Sequence, residues 1–149
     1  MILLVHLLFG AAMGHIIKNI PVAIIAAFLS HYFLDLFPHV EYNIENIQKK
    51  QWKRALPQVL AVLLDFLTGI LIISLLSGGQ AIIYICAFFA ILPDGLTLLK
   101  SAIKISILKK HNKFHQEKVH FLKHKKISNF WRISSQVLAV IISVVVLKI

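Results

Sequence analysis

Apolar positions run along this chain in five long blocks separated by short polar stretches, and the blocks are too continuous to alternate inside and outside as barrel strands do. The blocks cover residues 1–17, 21–37, 56–77, 80–99 and 128–147. Lys18, Asn19 and Pro21 mark a tight turn between the first two, and Gly78 and Gly79 turn the chain between the third and fourth. Pro38 disfavours helical geometry at Phe37 and ends the second block near there, while Pro93 should kink the fourth where Asp94 projects. The pattern predicts an all-α integral membrane bundle of about five transmembrane helices, with residues 1–149 forming one domain. AAMG at 11–14 has the look of a signal-peptidase site, but no basic stretch precedes it, so the first block reads as a retained helix. Gly10 and Gly14, spaced as GxxxG, let another helix approach closely, most simply the second.

Two polar stretches lie between the blocks. Residues 39–54 end in KKQWKR, with Tyr42 and Trp52 suited to the headgroup region. Residues 100–126 hold nine Lys, four His and one Glu, with a periodicity that fits a basic amphipathic segment lying along the membrane between the fourth and fifth helices. Its lysines read first as a solvated face that grips anionic lipid.

Composition fits a membrane protein: 58% of the 149 residues are hydrophobic and the mean hydropathy is +0.81. The formal charge of +10, from 16 basic against 6 acidic residues, would suggest nucleic acid in a soluble protein. Here the placement matters more. Five spans put the N-terminus, both polar stretches and Arg132 on one side, with 14 of the 16 basic residues, and leave Lys18 and Lys148 on the other. The positive-inside rule makes the first side cytoplasmic, N-in and C-out in a cell's inner membrane. Anionic lipid headgroups explain the charge without nucleic acid. The lone cysteine, Cys86, sits in an apolar run and reads as packing.

Within FLSHYFLDLFPHVEY, residues 28–42, His31, Asp35 and His39 fall four apart. A step of four advances about 40° around a helix and about 6 Å along it, so His31 and Asp35 share a face at metal-ligand spacing. His39, just past the helix end, can swing toward the same ion or act as an acid or base. The plainer alternative is a hydrogen-bonded polar pair between helices. Counting depth from the cytoplasmic side adds His6, Asp94 and, at mid-depth, Asp65, while His15 falls at the opposite end. Intramembrane carboxylates usually face a bundle interior or a cavity, and three near one another repel; a divalent cation relieves both problems. Imidazole and carboxylate donors suit zinc first, with manganese or iron as alternatives. In HNKFHQEKVHFLKH, His111 and His115 share an i,i+4 face, as do His120 and His124, and Glu117 lies between. His115 and His120 are the stronger candidates because Phe114, Val119 and Phe121 flank them.

These motifs together resemble the small bacterial membrane-bound metal-dependent hydrolases related to the LexA-regulated inner-membrane hydrolases. The matching stretches are HLLFGAAMG with His6, SHYFLDLFPHVEY with His31, Asp35 and His39, LLDFLTG with Asp65, AILPDG with Asp94, and FHQEKVH with His115 and His120. The first block differs from the HxxxTH-like start of the LexA-regulated branch in having no second His soon after His6. The resemblance implies metal-dependent hydrolysis and a distant kinship with helical zinc phospholipases.

Two functional readings follow. In the first, a metal held by some of His6, His31, Asp35, Asp94 and His115 activates water, and His39, Asp65 or His120 handles protons. A lysine-ringed mouth would receive an ester or phosphoester of an anionic substrate, a lipid or small molecule, at the cytoplasmic leaflet. No GxSxG motif supports serine catalysis, and Cys86 has no activating neighbour. In the second, Asp35, Asp65 and Asp94 form a cation or proton transport path. A structural bundle with paired polar residues is the third, and it leaves the HxxxDxxxH spacing unexplained.

Overall fold

The first helix is apolar on every side, and the other helices bury it. The computed structural model describes residues 1–103, 105–122 and 125–149; the candidate His124 lies outside them. Its elements are α1 (Leu3–Ile16), α2 (Ile20–Asp35), the single turn α3 (Glu45–Gln48), α4 (Trp52–Leu76), α5 (Ala81–Ala102), α6 (Ser106–Phe114), a π-helical turn (His115–Val119) and α7 (Asn129–Lys148). No strand occurs among the described residues. Helices α4, α5 and α7 are long and apolar enough to cross a membrane; α1 and α2 are shorter apolar helices of 14 and 16 residues.

Helix α1 packs against α2, α4, α5 and α7 at once. Leu7, Leu8, Ala11 and Ala12 meet Ile73 of α4, Ile83 and Ala87 of α5 and Leu147 of α7 in one buried cluster. A second cluster joins Ala23 and Ala27 of α2 to Cys86 and Ala90 of α5, so small side chains set close helix spacing, and Cys86 packs as expected. The GxxxG of α1 faces α5 rather than α2. A Cβ on Gly10 would collide with Ala90 Cβ and lie 2.8 Å from the Cys86 carbonyl oxygen; one on Gly14 would lie 2.9 Å from Cys86 Cβ.

The beginning of α1 is buried, so its free N–H groups need partners from elsewhere. Asp65, within α4, accepts from the Leu4 N–H at 2.7 Å, and Gln136 of α7 accepts from the Ile2 N–H at 3.2 Å. Asp65 thus caps α1 across the helix interface, at the positive end of its dipole. Helix α2 starts conventionally, with Asn19 Oδ1 accepting from the Val22 N–H at 3.2 Å and a proline in its first turn.

Elsewhere the boundaries shift. Helix α4 begins at Trp52, earlier than the apolar block, and α5 continues through Pro93 to Ala102 as one element. The basic stretch after α5 divides into α6, which buries Leu108, and the π-helical turn, rather than forming one long helix.

Gly10→Ala should lower the thermal unfolding midpoint in detergent by an amount equivalent to about 1–3 kcal/mol, because α1 and α5 must separate. Gly95→Ala meets nothing within 4 Å, and its midpoint should stay level or rise.

Candidate metal centre

The last turns of α2 bring His31 and Asp35 together, with His31 Nε2 3.2 Å from Asp35 Oδ2. The helix stops at Asp35, three residues before Pro38, and the extended chain beyond returns His39 and Glu41 to the same place. Alternation along an extended segment puts these two on one side. The π-helical turn supplies His115 and His120, whose N–H bonds back to the His115 carbonyl at 3.1 Å. This widened turn sets residues five apart beside each other, and their Nε2 atoms lie 3.3 Å apart.

The outer ring nitrogens fix the tautomers. His31 Nδ1–H donates to the Ala90 carbonyl at 2.8 Å and His120 Nδ1–H to Glu41 Oε1 at 2.7 Å. The Thr97 hydroxyl donates to the Pro93 carbonyl at 3.2 Å, so its oxygen accepts from His115 Nδ1–H at 3.3 Å. Each ring therefore turns an Nε2 lone pair inward, as metal-binding histidines do. His31 Nε2 and His115 Nε2 stand 3.0 Å apart, and Asp35 Oδ2 lies 3.4 Å from His115 Nε2 and 3.1 Å from His120 Nε2. Lone pairs this close repel unless a positive charge joins them.

Asp94 Oδ1 lies 3.6 Å from His31 Nε2, with its side chain one-third exposed. His6 Nε2 lies 3.2 Å from Asp35 Oδ1, which also meets the α-amino nitrogen of Met1. Burial lowers the His120 pKa, yet hydrogen bonds to Asp35 and Glu41 outweigh it and raise the ring to about 9. That proton sits on the inward Nε2 of His120 when no cation is bound, and a bound cation takes its place.

Of the sequence candidates, the fold gathers His6, His31, Asp35, His39, Asp94, His115 and His120. Asp65 stands elsewhere, capping α1 and bonded to Tyr42, whose phenol is pushed up by burial and by that carboxylate. His111 pairs with the Tyr32 hydroxyl at 3.0 Å, outside the cluster. Glu41, Thr97 and the Ala90 carbonyl are additions. Glu41 had a signal, its two-residue offset from His39 beyond a proline-terminated helix; Thr97 had only its one-turn spacing from Pro93.

A cavity of about 500 Å3 opens beside the cluster, sharing Asp94 and His120 with it and lined also by Tyr42, Gln116, Val62 and Leu98. Among the described residues no Lys or Arg lines it. Comparison with family models, curated proteins and solved structures gave no match.

Asp65→Ala leaves a part-buried N–H of α1 without its side-chain partner and should lower the unfolding midpoint by the equivalent of about 0.5–1.5 kcal/mol. Asp65→Asn, which keeps an accepting oxygen, should lose less; thermal unfolding of the two purified variants measures the difference.

Proposed function

We propose that this chain is a membrane-embedded, divalent-metal-dependent hydrolase, acting on an ester or phosphoester of an anionic lipid or small molecule at the cytoplasmic leaflet. One observation carries the reading: three imidazole lone pairs with fixed tautomers converge on the Asp35 carboxylate. Donors about 2.0–2.1 Å from one tetrahedral ion lie about 3.3–3.4 Å from one another. Five of the six separations among His31 Nε2, His115 Nε2, His120 Nε2 and Asp35 Oδ2, all but that between His31 and His120, run from 3.0 to 3.4 Å. This set fits a zinc-sized ion, and the ring N–H bonds to Ala90, Thr97 and Glu41 give it the outer support such ions need.

A bound cation supplies a lowered pKa for water and polarises the ester oxygen. Asp94, facing both cluster and cavity, accepts the proton from the attacking water. Tyr42 and Gln116 offer hydrogen bonds to the substrate in the cavity, and Val62 and Leu98 offer it an apolar wall. Among the described residues no lysine lines that wall, so a cation held by the cluster would supply the positive charge for an anionic group. Helices α1 and α2 join α4, α5 and α7 in a five-helix membrane bundle, with the basic ends and the site on the cytoplasmic side. Against the transport reading stands the hydrogen bond by which Asp65 accepts from the Leu4 N–H at the start of α1.

Metal analysis by mass spectrometry of the detergent-purified protein should find at least one equivalent of zinc, manganese or iron per chain. The His31→Ala/Asp35→Ala double variant should hold none. A parent protein that stays metal-free after reloading overturns the proposal.

A further inference from the structure

The set around Asp35 Oδ2 leaves the other carboxylate oxygen, Oδ1, to the α-amino group of Met1 and to a different pair of imidazoles, so a cation bound there takes the place of that ammonium. His39 donates Nδ1–H to the Phe37 carbonyl at 2.7 Å, which turns its Nε2 lone pair inward, 3.7 Å from Asp35 Oδ1. That Nε2 is buried and has no hydrogen-bond partner. His6 is fully buried, its ring stacked on His31 with centroids 4.0 Å apart, and neither of its nitrogens is hydrogen-bonded. Its Nε2 nonetheless lies 3.2 Å from Asp35 Oδ1. Leaving a polar ring unpaired in an apolar bundle is unfavourable, and a leucine would fill the same space without that cost. Two inward imidazoles on one carboxylate oxygen instead make a donor group.

We infer that the site takes two divalent cations bridged by Asp35, the second held at Oδ1 by His6 and His39. Glu41 Oε1, 3.3 Å from His39 Nε2, stands at the edge of this second position and already orients His120 of the first. The inference rests on the metal-dependent reading above and narrows it. Paired cations bridged by a carboxylate suit phosphoryl groups, whose attacking and leaving oxygens both need stabilising, so the substrate class becomes a phosphoester rather than a carboxylic ester. His6 and His39 are then ligands, and neither is a proton carrier.

The test uses the full chain in detergent, stripped by chelator and titrated with Mn2+, read by metal content and by electron paramagnetic resonance. The parent should bind about two equivalents and give an exchange-coupled spectrum. His6→Ala and His39→Ala should each fall to about one equivalent with an uncoupled spectrum; if His6→Ala does not fold, His39→Ala, in the segment after α2, carries the comparison. One equivalent in the parent, unchanged in His39→Ala, overturns the second cation and leaves the hydrolase proposal standing. Two equivalents with an uncoupled spectrum overturn the Asp35 bridge. No bound metal in any sample overturns both proposals together.

Discussion

A carboxylate buried among helices must be surrounded by groups that share or cancel its charge, and Asp35 imposes that demand on the whole bundle. Side chains from α1, α2, the segment after α2 and the π-helical turn all reach it, and Asp94 of α5 stands beside His31. Those elements are far apart in sequence, and holding them at one point requires a rigid frame. The frame is α1, enclosed by four helices and packed against α5 through glycines that admit no added carbon.

That enclosure creates its own polar problem. A helix whose first turn packs within a bundle has backbone donors that need partners, and here side chains from α4 and α7 meet them. The polar residues inside this chain therefore fall into two kinds. Asp65 and Gln136 complete a helix end, whereas the histidines and Asp35 leave donor atoms aimed at one another.

Much of this was legible in the sequence. The His31–Asp35 spacing, the stop before Pro38 and the apolar blocks follow from local rules, and these gave the helices and one face of the cluster. In the basic stretch the i,i+4 step from His111 to His115 holds, their rings stacked 5.6 Å apart. The spacing rules missed the π-helical turn that sets His115 beside His120, because one extra residue in a turn has no signature in hydrophobic periodicity. Asp65 was read by depth alone, and depth cannot distinguish a carboxylate facing a site from one facing the end of a neighbouring helix. The GxxxG likewise identified a close contact without naming its partner, which a sequential neighbour did not supply.

The brevity of α1 has a geometric result. At 1.5 Å per residue its 14 residues span about 21 Å, well short of the roughly 30 Å of a bilayer's hydrocarbon. Its start is tied to Asp65, about 20 Å along α4 from Trp52. Beside that start, Met1 and Leu3 line the cavity that Asp94 and His120 also reach. Under the hydrolase reading proposed above, a cavity at the foot of so short a helix would admit the ester linkage of a lipid that stays within its leaflet.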